Sequence, residues 1–188
     1  MRIFLGIRIS DEIKGKIGSL GKKIKEKIRE AKLVSPQNLH ITLKFLGEVK
    51  EEKVEKIGQV IENISGSFAP FDLEVKGIGR FPEKGKVRVL WIGAEAKDNL
   101  RNLNKIIEEK LEELSFPREN RFKEHITIAR FKSNPNMARL EEFLERYKEN
   151  IWGKMRVENV EIIESILKPD GPVYRTLRTF KLGGEKYG

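Results

Sequence analysis

The chain has no cysteine and only two histidines among its 188 residues. The first absence excludes disulfides, thiolate nucleophiles and cysteine-ligated zinc. The second confines any imidazole chemistry to two positions. No apolar run approaches the roughly 20 residues of a membrane span, so no membrane partner is expected. No signal peptide is visible either, since residues 1–9 (MRIFLGIRI) read as a first strand. A cytoplasmic setting is the default expectation. Linkers and low-complexity segments are also lacking, and the length suits one compact domain or two small fused lobes.

Charge, in contrast, is abundant. Charged residues make up 36% of the chain, and 38 basic against 29 acidic residues leave a formal net charge of +9. That excess fits a polyanionic partner, nucleic acid first among them, and it also fits a well-solvated surface. Many Lys and Glu residues with no Cys suit a protein from a hot environment.

Hydrophobic periodicity alternates between strand and helix throughout. Strands are expected over 2–9, 39–46, 70–80, 86–94, 124–131, 154–168 and 172–182, and helices over 11–32, 50–64, 97–115 and 136–149. In the first helix Ile13, Ile17, Leu20, Ile24 and Ile28 recur every three or four residues, behind the capping signal Ser10-Asp11-Glu12. The fold class is α+β, with mostly antiparallel strands and helices packed on them.

Both histidines open the same tetrad: His40-Ile41-Thr42-Leu43 and His125-Ile126-Thr127-Ile128. Such a coincidence points to an internal duplication that kept its reactive groups. On a strand, alternate residues share a face, so His40 and Thr42 point one way while Ile41 and Leu43 point into the core. His125 and Thr127 repeat the arrangement. If a pseudo-two-fold relates the halves, two imidazoles and two hydroxyls meet across one cleft. Such a cleft suits phosphoryl chemistry. One imidazole takes a proton from water while the other gives one to the leaving oxygen. The threonine hydroxyls donate to the non-bridging phosphate oxygens, where charge builds up. Two histidines without a third ligand make a poor zinc site, so neither metal nor cofactor is expected.

The paired tetrads resemble those of the two-histidine phosphoesterases, and within them the RNA 2′,3′-cyclic phosphodiesterases, also called the 2′-5′ RNA ligase family. The resemblance runs from Arg2-Ile3-Phe4 through Asn38-Leu39-His40 to Leu46-Gly47, then Gly79-Arg80-Phe81-Pro82 and Arg88-Val89-Leu90-Trp91. It continues through His125 to Ala129-Arg130, and ends in Glu164-Ser165 and Gly171-Pro172-Val173-Tyr174. It implies a bilobal fold over residues 1–188, with two pseudo-symmetric lobes of antiparallel sheet, helices outside and one tetrad per lobe at a central cleft. It implies hydrolysis of RNA 2′,3′-cyclic phosphate ends to 2′-phosphomonoesters, with His40 as proton donor and His125 as proton acceptor. The nearly identical tetrads do not themselves assign these roles. The family's related activity is reversible 2′-5′ joining of RNA ends. Expected partners are RNA ends bearing the cyclic phosphate, tRNA-derived ones included, met by a monomer. At one position the pattern departs: the family often has proline before the second histidine, and this chain has Glu124, which raises the His125 pKa only if it folds against its strand parity.

Four further residues are candidates for substrate contact. Lys44 shares the parity of His40 and Thr42, and is either a phosphate ligand or a solvated lysine. Arg130 has the opposite parity to His125, and reaches the phosphate only if its strand bulges or ends there; otherwise it is a structural ion-pair partner. Tyr174 and Phe45 offer rings for base stacking, although core packing is the first expectation for Phe45. The basic run Lys22-Lys23-Ile24-Lys25-Glu26-Lys27 either guides RNA or is a wet helix face. A non-catalytic RNA or nucleotide binder is the competing function, against which two intact tetrads argue.

Overall fold

The computed structural model describes residues 1–183. Nine strands form one sheet: β1 (Arg2–Arg8), β2 (Ala31–Leu33), β3 (His40–Glu48), β4 (Phe71–Phe81), β5 (Val89–Glu95), β6 (His125–Phe131), β7 (Ile151–Val157), β8 (Asn159–Lys168) and β9 (Gly171–Lys181). Four helices, α1 (Asp11–Lys27), α2 (Glu51–Ser67), α3 (Asn99–Glu112) and α4 (Met137–Tyr147), pack on it. The order is β7-β4-β5-β6-β3-β1-β8-β9, with β2 pairing on β6, and every pairing between named strands is antiparallel.

This order forces the sheet to curl. β7 and β8 are six strands apart along the path, roughly 29 Å on a flat sheet at about 4.8 Å per spacing. Yet only Glu158 joins them in sequence, and one residue spans about 3.5 Å. The sheet therefore bends into a half-barrel of two lobes, β7-β4-β5-β6 and β3-β1-β8-β9. Sequence periodicity merges β7 and β8 into one expected strand over 154–168, because alternation continues through the break and nothing local marks a chain crossing between lobes.

The first helix also stops earlier than its periodicity suggests. Ser10 caps it by accepting from the Ile13 N–H at 3.4 Å, and Asp11 and Glu12 sit in the positive first turn. It ends at Lys27, where Ile28 leaves helical geometry (φ −132°, ψ 84°). The Lys25 ammonium then donates to the carbonyls of Arg29 (3.2 Å) and Ala31 (2.7 Å). Ile28 stays buried beyond the helix end, which is why the apolar spacing runs on. The following residues form β2, which pairs Ala31 with Phe131 and Leu33 with Ala129.

The lobes meet where β3 and β6 pair, through Ile41 and Ile126. Both isoleucines are fully buried. α3 lies on this face of β3, where the Asn104 amide donates to the Leu43 carbonyl at 2.8 Å. The tetrad histidines and threonines therefore point away from the helices.

Each tetrad strand then bulges. Against β1, Lys44 pairs with Leu5 and Thr42 with Gly6, so Leu43 is an extra residue. Against β5, Ala129 pairs with Leu90 and Thr127 with Trp91, so Ile128 is extra. A bulge puts two successive side chains on one face and reverses the parity beyond it. Leu43 and Lys44 are consequently both buried, as are Ile128 and Ala129.

Lys44 is thus not on the cleft face, which corrects the parity reading. Only 4% exposed, it donates to both Glu108 carboxylate oxygens at 2.7 and 2.8 Å and to the Pro117 carbonyl at 2.9 Å. Glu108 also accepts from the Glu119 N–H at 2.9 Å, so the pair ties β3 to α3 and to the segment leading into β6. Removing one partner strands a buried charge. Glu108→Ala should cost about 3–5 kcal/mol in chemical denaturation, whereas the paired change Lys44→Met with Glu108→Leu should recover most of that loss. A single variant as stable as the native chain would contradict this role.

Candidate active site

Antiparallel pairing about Ile41 and Ile126 sets His40 across from Thr127 and Thr42 across from His125. The two histidines then stand on the diagonal of the pair, where backbones lie roughly 7–8 Å apart, enough to admit a phosphate between the rings. All four side chains line one cavity of about 380 Å³. The bulge at Ile128 returns Arg130 to this face, where it lines the same cavity. Its counterpart five residues after His40 is Phe45, returned to the cleft face in the same way and 59% exposed. Core packing, the first expectation for Phe45, is therefore corrected by the same geometry that moves Lys44.

The His125 imidazole is held from behind. The Nδ1 of His125 lies 2.7 Å from the Lys123 carbonyl two residues earlier. That contact requires a proton on Nδ1 and leaves Nε2 to face the cleft as the basic nitrogen. His40 has the equivalent neighbour in the Asn38 carbonyl, which favours its charged form, although the buried Nδ1 falls outside good hydrogen-bond geometry. Rings pack against both. Tyr174 meets His40 at 5.9 Å between centroids and 64°, and Phe4 meets it edge-on at 6.2 Å. Phe81 meets His125 at 5.1 Å and 88°. Phe81 in turn leans on Trp91, whose indole covers Gly79 so closely that a Cβ there would collide with it. The Lys123 ammonium sits over the Trp91 ring at 4.7 Å.

Several lining residues carry no signal in periodicity. β2 supplies Lys32 and Leu33, and the loop after it supplies Val34 and Ser35. Asn38 belongs to a short 3-10 turn (Pro36–Asn38), and its amide donates to the Pro172 carbonyl at 2.8 Å, tying this rim to the β8–β9 hairpin. Phe81 and Val89 also line the cavity, and both lie inside segments that carry the family resemblance. Asp170 is the one carboxylate among its lining residues. Among the described residues no group of three or more His, Cys, Asp or Glu gathers that would hold a metal ion, and no helix is long and apolar enough to cross a membrane.

The electrostatics of the two rings differ. Burial is the main influence on both, and lowers both pKa values below the ordinary 6.5. At His40 the Asn38 carbonyl and the Glu161 carboxylate oppose that shift, while Lys14 and Arg8 add to it. Glu161 is buried, ion-paired to Arg8 at 3.0 Å and hydrogen-bonded by the Thr176 hydroxyl at 2.8 Å. At His125 the Lys123 carbonyl opposes the shift, while the Lys123 and Arg130 cations add to it. Glu124 does not act on His125; its carboxylate faces Arg101 at 3.3 Å, as strand parity implies.

The LigT-like phosphoesterase family matches the chain twice in succession, over residues 7–91 and 92–174, one tetrad in each. The chain is 38% identical to the RNA 2′,3′-cyclic phosphodiesterase of Archaeoglobus fulgidus over 182 residues, 96% of this chain and 100% of that one. It is 39% identical to the protein of that name from Methanocaldococcus jannaschii over 178 residues, 95% and 99% of the two chains. A crystal structure from Thermus thermophilus superposes with a TM-score of 0.85 at 32% identity, covering 98% of this chain and 100% of that one.

The depressed pKa values couple folding stability to pH. Between the folded values and 6.5 the unfolded chain binds more protons, so stability should fall as pH drops below about 6.5. In a proton NMR titration both imidazoles should inflect below 6.5. An inflection at or above 6.5 for either ring in the free protein would contradict the burial account.

Proposed function

We propose that this chain, which belongs to the LigT-like phosphoesterase family, hydrolyses RNA 2′,3′-cyclic phosphate ends to 2′-phosphomonoesters with His125 as base and His40 as acid. The observation that carries this reading is the shared cavity, which both histidines and both tetrad threonines line together. The names borne by the relatives from A. fulgidus and M. jannaschii support the substrate.

In the proposed reaction His125 Nε2 takes a proton from water as the oxygen attacks phosphorus. The bond from phosphorus to the ribose 3′-oxygen breaks, and His40 delivers its Nε2 proton to that oxygen. Thr42 and Thr127 donate to the non-bridging oxygens, and the Arg130 guanidinium offsets their charge. Phe45 and Tyr174 offer their rings to the terminal base. The assignment of roles is supported by the charges around each ring. His40 has a carboxylate, Glu161, to help it keep a proton, although Lys14 and Arg8 act against it, whereas the charges acting on His125 are cations that favour its neutral form. The reading carries with it a monomer acting on cytoplasmic RNA, tRNA-derived ends among its substrates.

Purified protein should open a 2′,3′-cyclic phosphate with EDTA present. Alanine at either histidine should cost about 10²–10⁴ in kcat, and the pH–rate profile should be bell-shaped. Alanine at Thr42 or Thr127 should cost on the order of 10². On a nitrophenyl phosphodiester, whose leaving group departs without a proton, His40→Ala should lose less than His125→Ala. Inert folded protein would favour a binder without catalysis, and equal losses on the nitrophenyl ester would overturn the acid assignment.

A further inference from the structure

A second cavity, of about 520 Å³, opens beside the first and shares four lining residues with it: Phe45, Arg130, Pro172 and Tyr174. We propose that this groove is the subsite for the nucleotide on the 5′ side of the cyclic phosphate, so that an oligonucleotide end is held more tightly than a mononucleotide. The inference rests on the activity proposed above.

The substrate's own connectivity requires such a site. A cyclic phosphate occupies both the 2′- and 3′-oxygens of the terminal ribose. The polymer can therefore leave the cleft only through the 5′-oxygen, and it carries a phosphodiester and another base. A cavity continuous with the cleft must meet one anion and one flat apolar ring, and the groove provides for both. Arg2, at the start of β1, supplies a guanidinium that makes no ion pair among the described residues. Ser165 adds a hydroxyl donor. Glu48, the one carboxylate lining the groove, is drawn to the Met1 amino group at 3.4 Å.

Exposed apolar surface also borders the groove. Six large hydrophobic residues are exposed among the described residues. Phe45, at 59%, forms the divide between cleft and groove, and Leu167, at 70%, stands on the groove wall. Single exposed hydrophobics need no explanation, but apolar walls paired with a cation and continuous with a phosphate site suit a stacked nucleotide. The basic face of α1 fits less well. It lines a separate cavity with Arg139 and Arg146 that also holds Glu26 and Glu142 and shares no lining residue with the cleft.

The test compares binding with hydrolysis. Calorimetry would measure the affinity of adenosine 2′-monophosphate and of the dinucleotide ApA ending in a 2′-phosphate, at one fixed salt concentration. The native protein should bind the dinucleotide on the order of tenfold more tightly, from one added phosphate contact and one stacked base. Arg2→Glu should abolish most of that advantage, and Leu167→Asp should reduce it independently, with mononucleotide affinity held within about twofold in both. Equal affinity of the native protein for the two ligands, or an advantage that survives both variants, would overturn the subsite. Hydrolysis of ApA ending in a 2′,3′-cyclic phosphate by the native protein tests the activity separately. Its absence alongside an intact dinucleotide advantage would sink the catalytic reading and leave the groove assignment standing.

Discussion

The arrangement depends on the antiparallel contact between Ile41 and Ile126, two fully buried side chains that pin the innermost strands of the two lobes together. Everything on the opposite face follows from that register. Sliding one strand by a single residue would exchange its faces, sending His40 and Thr42 into the core and bringing the isoleucines to the cleft. The contact itself is apolar, yet it decides whether the two imidazoles line one cavity.

A second constraint acts through the bulges. By adding Leu43 to one strand and Ile128 to the other, the fold turns the residue five places after each histidine back toward the cleft. One lobe presents an aromatic ring there, Phe45, and the other a guanidinium, Arg130. The duplicated scaffold is thus symmetric at the two His-x-Thr pairs and asymmetric five residues after each histidine, with a ring on one side and a guanidinium on the other. The same bulge sends Lys44 inward, where its ion pair with Glu108 fixes β3 to the segment that leads into the second tetrad.

The tetrads were the most legible part of the chain, because an alternating strand leaves a simple period-two trace and the chain has no other histidine. The α+β class and most element positions were legible for similar reasons. The bulges were not. Leu43-Lys44 and Ile128-Ala129 look like ordinary continuations of alternation, so parity put Lys44 on the cleft face and left Arg130 undecided. β2 was hidden because Ile28 remains buried after α1 ends, and the crossing at Glu158 was hidden because the two strands it joins have the same period. Phe45 looked like core because sequence gives burial only by pattern, and the pattern shifts one residue before it. In each case a non-local pairing overrode a local signal.

Whether one phosphorus atom sits between the two imidazoles can be seen in a crystal structure with a nucleoside vanadate bound as a mimic of the five-coordinate transition state. In the proposed arrangement one apical oxygen hydrogen-bonds to His40 Nε2 and the opposite apical oxygen to His125 Nε2, with equatorial oxygens on the Thr42 and Thr127 hydroxyls. A vanadate held by only one of the two imidazoles, or seated outside the cleft between β3 and β6, would contradict it.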